Sequence, residues 1–211
     1  METIVFALLI VSSARCLSAK HVFISISKSW SGAQDYCRRY HTDLSPVSNE
    51  VEKQVLRNSL NGRRGGWVGL LRDGTAARYW NGDQWQFAYE NSFYNFFCLD
   101  LIVVEEEKPW EEALEHCREN HTDLTSLLSE SETLLALKEI QQEPRVTERV
   151  WIGLRFLGDI WLWVNGDPLK YEAWERSQDH QCPLLKRCGA LTKEGLWESW
   201  DCSERLRFIC T

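Results

Sequence analysis

Cysteine chemistry dominates what this 211-residue chain could do, because it holds eight cysteines. A thiol can be a nucleophile, a metal ligand or half of a disulfide, and its surroundings choose among these roles. His180, Cys182 and Cys188 lie close enough in sequence to suggest zinc. The start of the chain argues for disulfides instead. An apolar run from Ile4 to Val11 is followed by small residues at Ser18 and Ala19, which reads as a secretory signal peptide over residues 1–19. The run falls well below the roughly 20 residues that a membrane span needs, so no membrane insertion is expected. In an oxidising compartment spaced cysteines mostly form disulfides. Cys16 leaves with the signal peptide, and Cys37, Cys98, Cys117, Cys182, Cys188, Cys202 and Cys210 remain. An odd number leaves one thiol free or paired outside the chain.

Other chemistries find less support. There is no Gly-x-Ser-x-Gly elbow, no His-Glu-x-x-His and no phosphate loop. Glu105–Glu107 form a solvated run rather than a placed acid–base pair, so no enzyme is expected. His41 and His121 sit at helix ends without partners at ligand spacing and read as structural. A formal charge of −7, with Arg63–Gly66 as the densest basic spot, excludes a nucleic-acid partner. Asn120-His-Thr is a glycosylation sequon. Of the eleven tryptophans, Trp151, Trp161, Trp163 and Trp197 read as core, and Trp200 in "WESWDC" reads as a loop residue able to stack on a ligand.

The elements that position these residues occur twice. Trp30, Ala33, Cys37 and His41–Leu44 match Trp110, Ala113, Cys117 and His121–Leu124. Trp110, Ala113, Leu114 and Cys117 form one apolar helical stripe, and Pro109 suits its first turn. "HVFISIS" and "LIVV" read as strands before the two helices. Ser129 with Glu132 predicts a capping box for a second helix, and Asn49 with Glu52 plays the same part in the first copy. "WVGL" at Trp67 matches "WIGL" at Trp151, and "NGD" at Asn81 matches "NGD" at Asn165, each a tight-turn signal. Trp67 and Trp151 are offset by 84 positions, Cys98 and Cys210 by 112, so the first copy is about 28 residues shorter.

This order resembles the C-type lectin-like domain: a helix cysteine, W-[IV]-G-L, a cysteine pair, a tryptophan five residues before the third cysteine, then "FIC". The resemblance covers nearly all of residues 20–211. It implies an α+β fold of two C-type lectin-like domains, each with two helices flanking small antiparallel sheets. Residues 20–98 would form a truncated domain with an incomplete sheet, lacking a loop and two inner strands, and residues 99–211 a complete one. The resemblance also implies bridges Cys117–Cys210, Cys188–Cys202 and Cys37–Cys98, each worth roughly 2–4 kcal/mol. Cys182 is then left over, as a free thiol or the bridge of a disulfide-linked dimer. A Cys182–Cys202 pairing stays open at this point.

Calcium-dependent members of that family hold the ion with a loop motif and a Trp-Asn-Asp motif. Here the second place reads Trp197-Glu198-Ser199, the first reads Gln178-Asp179-His180 without a proline, and Lys186-Arg187 stand where an acid is usual. Calcium takes six to eight oxygens. Gln178, Asp179 and Glu198 supply too few, so neither metal nor cofactor is expected. The expectation is a secreted protein that binds a glycan or protein ligand without calcium. The face would hold Gln178, Asp179, His180, Glu198 and Trp200, and the alternative is a calcium-dependent carbohydrate-binding lectin.

Overall fold

The computed structural model describes residues 20–60, 65–72, 76–81, 84–146, 148–176 and 180–211, with the backbone alone for Ser59, Leu70, Leu71 and Arg72. The signal peptide, Arg63 and Arg64, Gly82 and Asp83 of the first NGD turn, and Gln178 and Asp179 lie outside the described residues.

Each half begins with a strand that runs straight into a helix. In the first half these are β1 (His21–Lys28) and α1 (Trp30–Tyr40). Ser29 has extended backbone, and its Oγ accepts from Gly32 N at 3.2 Å, which satisfies one of the orphan donors of the first turn. A second helix, α2 (Glu50–Ser59), follows the short strand β2 (Asp43–Leu44). In the second half β7 (Ile102–Lys108) leads to α3 (Trp110–Asn120), and α4 (Glu130–Gln142) comes next. Trp110, Ala113 and Cys117 are buried and Leu114 packs beside them, as the apolar stripe predicts. Pro109 stands at the cap position itself and makes no side-chain cap bond.

Two sheets organise these helices. The first contains β3 (Trp67–Arg72), β4 (Ala76–Trp80), β5 (Trp85–Tyr89) and β6 (Tyr94–Leu99), in the order β1-β6-β3-β4-β5 with β2 on β6. The second contains β8 (Arg149–Leu157), β9 (Ile160–Trp163), β10 (Cys188–Thr192), β11 (Trp197–Trp200) and β12 (Leu206–Cys210), in the order β7-β12-β8-β10-β11 with β9 on β8. Both sheets have six strands. The expectation of a first sheet lacking two inner strands is therefore corrected. Near Leu71, β4 pairs with β3 much as β9 pairs with β8; at Trp67↔Tyr79 it occupies the place that β10 takes beside Trp151. One strand does the pairing of two, and β5 closes the edge. Relative to the second half, the first lacks the long loop and its disulfide, and its described residues form as many strands.

The repeated residues have matched structural duties. Trp30 Nε1 donates to Val68 O and Trp110 Nε1 to Ile152 O, both at 2.9 Å. Trp67 Nε1 donates to Lys28 O and Trp151 Nε1 to Lys108 O, again at 2.9 Å. A buried indole needs such an acceptor, and here it ties helix start to central strand. The glycine of W-[IV]-G-L lets a neighbouring segment lie against the strand. Gly153 N donates to Thr125 O at 2.8 Å, and a Cβ on Gly153 would stand 2.6 Å from Leu124 O. Gly69 repeats this with Ser45 O at 2.9 Å.

The halves share buried structure. Leu99 and Leu101 sit in one core cluster with Leu127, Leu128, Ile140 and Ile152, and Val51 and Val55 of α2 pack against it. The caps of α2 and α4 meet here too. Asn49 and Glu52 form a reciprocal capping box. Ser129 Oγ accepts from Glu132 N at 3.1 Å, but the return half of the predicted second box is absent: the Glu132 carboxylate takes Leu128 N at 2.7 Å and Lys20 Nζ at 2.8 Å. Ser129 Oγ also donates to Glu52 Oε1, and Asn49 Nδ2 donates to Leu128 O at 2.9 Å.

Candidate functional site

The face expected to bind ligand lies at the far edge of the second sheet, where β11 runs beside β10. Cys188 pairs with Trp200 and Ala190 with Glu198 in this ladder, so Glu198 and Trp200, two positions apart, point to the same side. Trp200 closes β11 and is no loop residue; its ring is half-buried. The Cys188–Cys202 disulfide ties the start of β10 to the turn after β11. Cys37–Cys98 and Cys117–Cys210 each tie a first helix to a last strand. Cys182 is free and exposed.

Glu198 is where the geometry is most telling. One oxygen, Oε2, accepts from Arg149 Nε at 2.9 Å and from Trp200 Nε1 at 2.6 Å. The Arg149 and Glu198 side chains are 20% and 12% exposed, so the pair is largely shielded from water. The Arg149 guanidinium lies 4.2 Å from the centroid of the Trp200 ring, and Lys186 Nζ lies 4.8 Å from it. Cations are drawn to the negative face of an indole. Arg149 also pairs through Nη1 with the Glu148 carboxylate at 2.9 Å, so two cations, Arg149 and Lys186, meet two carboxylates, and Oε2 of Glu198 is engaged by two donors. Arg149 was not singled out in the sequence. It sits 49 residues from Glu198, and only the β8–β10–β11 ladder brings the two together.

His180 takes part in a second aromatic group. Its ring stacks on Trp174 with centroids 4.6 Å apart and planes 7° from parallel, and Trp161 Nε1 donates to its carbonyl at 2.7 Å. Trp161, expected in the core, is only partly buried and packs on Trp174 at 4.8 Å. Trp151, Trp163 and Trp197 are buried, as expected. Beyond His180 the loop exposes Leu184 and Leu185 beside Cys182.

The remaining candidates have local roles. His41 Nδ1 is 3.3 Å from Asp100 Oδ1. Burial, helped by nearby His116, lowers the pKa of His121. Asn120 is exposed, with its Nδ2 donating to His116 O at 3.0 Å. Among the described residues one group of potential metal ligands clusters, Glu111 with Cys188 and Cys202, and both of its sulfurs are spent in a disulfide.

Two helices around a sheet, a bridge from first helix to last strand, and a second bridge closing the loop region define a C-type lectin-like α+β fold. The chain belongs to this family: residues 106–211 match the Lectin C-type domain, a family that is generally non-enzymatic. Dromaiocalcin-1 of Dromaius novaehollandiae is 34% identical over 111 residues, which cover 49% of this chain and 76% of that protein. The secretory phospholipase A2 receptor of Homo sapiens is 23% identical over 206 residues, spanning 85% of this chain and 14% of the receptor. Among solved structures, the mouse scavenger receptor C-type lectin carbohydrate-recognition domain aligns at 27% identity and a TM-score of 0.46, over 52% of this chain and 84% of that one.

Proposed function

We propose that this chain is a secreted tandem pair of C-type lectin-like domains, residues 20–98 shortened and residues 99–211 complete. It recognises a protein or glycan ligand without calcium, through the face that runs from Gln178 to Glu198 and includes Trp200. The observation that carries this reading is the Glu198 carboxylate, neutralised by Arg149 and hydrogen-bonded to Trp200. A dication needs six to eight oxygens, several of them anionic. Of the oxygens expected to hold an ion, the described carboxylate, Glu198, accepts from two donors through Oε2, and Lys186 adds positive charge over the Trp200 ring. A match that runs through both halves at 85% coverage supports the tandem reading. The apolar leader supports secretion, and the exposed Cys182 supports a disulfide-linked dimer.

Calcium separates this reading from a sugar-binding lectin. An ion that binds only the native state at a hundredfold excess over Kd stabilises it by about 2.7 kcal/mol. The melting curve of the full chain in millimolar calcium is expected to overlay its curve in chelator, and binding on a glycan array is expected to survive chelation. A rise of several degrees with calcium, lost in Glu198→Ala, overturns the proposal in favour of a calcium-dependent lectin.

A further inference from the structure

A cleft lies on the other half of the molecule, between the outer face of α1 and β1. Its volume is about 400 Å³, within the size range of small-molecule sites. Ile26 and Lys28 of β1 form one wall; Asp35, Tyr36, Arg39 and Tyr40 of α1 form the other. These α1 positions recur at helical spacing, so they share one face. Gly32 lines the cleft without a side chain, and a Cβ there would crowd the Ser29 cap at 3.1 Å from its Oγ.

The same place in the second half is built differently, which isolates what the cleft adds. With Trp30 matched to Trp110, Ile26 corresponds to Glu106, Gly32 to Glu112, Tyr36 to His116, Arg39 to Glu119 and Tyr40 to Asn120. The shared lysine shows the consequence. Lys108 is neutralised by Glu106 at 3.0 Å, whereas Lys28, facing Ile26 instead, has no carboxylate partner among the described residues. Its ammonium lies 5.9 Å from the Tyr36 ring centroid. Arg39 likewise has no ion pair among the described residues, in a chain whose net charge is −7. Tyr36 and Tyr40 stand with ring centroids 4.8 Å apart, and Tyr40 is 62% exposed. Three carboxylates of the second half, Glu106, Glu112 and Glu119, are thus replaced by Ile26, Gly32 and Arg39, and two phenol rings stand at the positions of His116 and Asn120, while Lys28 and Asp35 keep the charges of Lys108 and Glu115.

We propose that this β1–α1 cleft binds an acidic sugar, a pyranose carrying a carboxylate or a sulfate. Lys28 and Arg39 take the anionic group through charge-assisted hydrogen bonds. The Tyr36 and Tyr40 rings offer apolar faces to the sugar ring, and the Asp35 carboxylate accepts from a hydroxyl. An acidic peptide would use the cations but leave the paired rings and Asp35 without a purpose, so the sugar fits the whole lining better. The site is separate from the Glu198 face and does not depend on the reading given there.

Titration calorimetry on the full chain tests this with three soluble probes: a sulfated lactose as the sulfate form, sialyllactose as the carboxylate form, and neutral lactose. At least one acidic sugar is expected to bind, more weakly as salt rises, while lactose does not. Which acidic probe binds distinguishes the sulfate from the carboxylate source. Lys28→Gln with Arg39→Gln is expected to weaken binding about tenfold or more at an unchanged melting temperature. Gly32→Glu, which restores the second half's residue, is expected to abolish it, while Lys170→Gln, at an exposed lysine outside both faces, leaves it unaltered. Absence of binding to both acidic probes at millimolar concentration overturns the proposal. So does binding that ignores the Lys28/Arg39 change, equal binding of lactose, or tighter binding of a Glu-rich peptide than of either sugar.

Discussion

Lys20 Nζ and Glu132 Oε2 lie 2.8 Å apart across 112 positions of sequence, and both side chains are buried, at 3% and 0% exposure. Lys20 Nζ also donates to Ser126 O and Oγ, and Ser126 Oγ donates to Asp167 Oδ2 at 2.6 Å, which wires the second NGD turn into the contact between halves. Glu52 adds a second buried carboxylate nearby, bonded to Ser129. Burial raises the pKa of Glu132, against the opposing pull of Lys20.

Removing only the cation leaves a buried carboxylate uncompensated. Lys20→Met is expected to cost about 3–5 kcal/mol, because the desolvation penalty stays while the attraction is lost. Adding Glu132→Gln is expected to recover more than half of this. Urea unfolding of both variants measures it, and a loss below about 1 kcal/mol for Lys20→Met would show that the pair contributes little.

Stability should also carry the signature of His21. Burial, with the Lys20 ammonium beside it, holds its pKa down at about 3, against 6.5 for the free side chain. The imidazole sits 3.0 Å from Ser45 Oγ, and its Nε2 is buried with no hydrogen-bond partner among the described residues. The unfolded chain therefore binds a proton below pH 6.5 that the native state refuses until about pH 3. The stability His21 contributes is present above pH 6.5 and declines as pH falls through that window, by at most about 1.4 kcal/mol per pH unit. Glu132, with its raised pKa, works in the opposite sense. Comparing His21→Phe with the parent at pH 7, 6 and 5 isolates the histidine. The parent should lose stability relative to the variant as pH drops, and parallel curves would exclude this role.

Arg149 is expected to hold the Glu198 edge in place. Arg149→Met removes a charge-assisted hydrogen bond and a cation over Trp200, for a cost of about 1.5–3 kcal/mol. Glu198→Gln should cost less in that background than alone, because the residues share one interaction. Chemical denaturation of the four-member cycle measures the coupling, and strictly additive losses would refute it.

Cys182 should behave as a surface thiol. Cys182→Ser is expected to alter stability by no more than about 0.5 kcal/mol, since the side chain is exposed. A thiol reagent should titrate one group in the monomer and none after the substitution. Any disulfide-linked dimer seen on a non-reducing gel should vanish with the same change. Persistence of that dimer in Cys182→Ser would move the bridge to another cysteine.

Much of the architecture was legible from local patterns. The Trp-Ala-Cys stripes, the Asn49–Glu52 box and the W-[IV]-G-L glycines act over short distances, so spacing along the chain revealed them. The first sheet was misread because a count of missing residues says nothing about strand pairing. β4 borders β3 on both sides of a register shift between Trp67 and Leu71 once the long loop is gone, and backbone donors left without partners would be costly enough to enforce that closure.

The sequence by itself determined a cysteine-rich C-type lectin-like chain in which the Trp-Ala-Cys stripe and the W-[IV]-G-L motif each occur twice. Only the tertiary structure decided what its charges do. Glu198 reads as an available carboxylate until β8 lays Arg149 against it, and Glu52 and Glu132, legible only as helix-capping residues, become part of a buried charge cluster with Lys20 when the halves close over them. Lys28 and Lys108 look equivalent in the repeat, yet one faces Ile26 and the other Glu106. A charge's effect depends on partner distance and exclusion of water, and both are set by contacts between residues far apart in the chain.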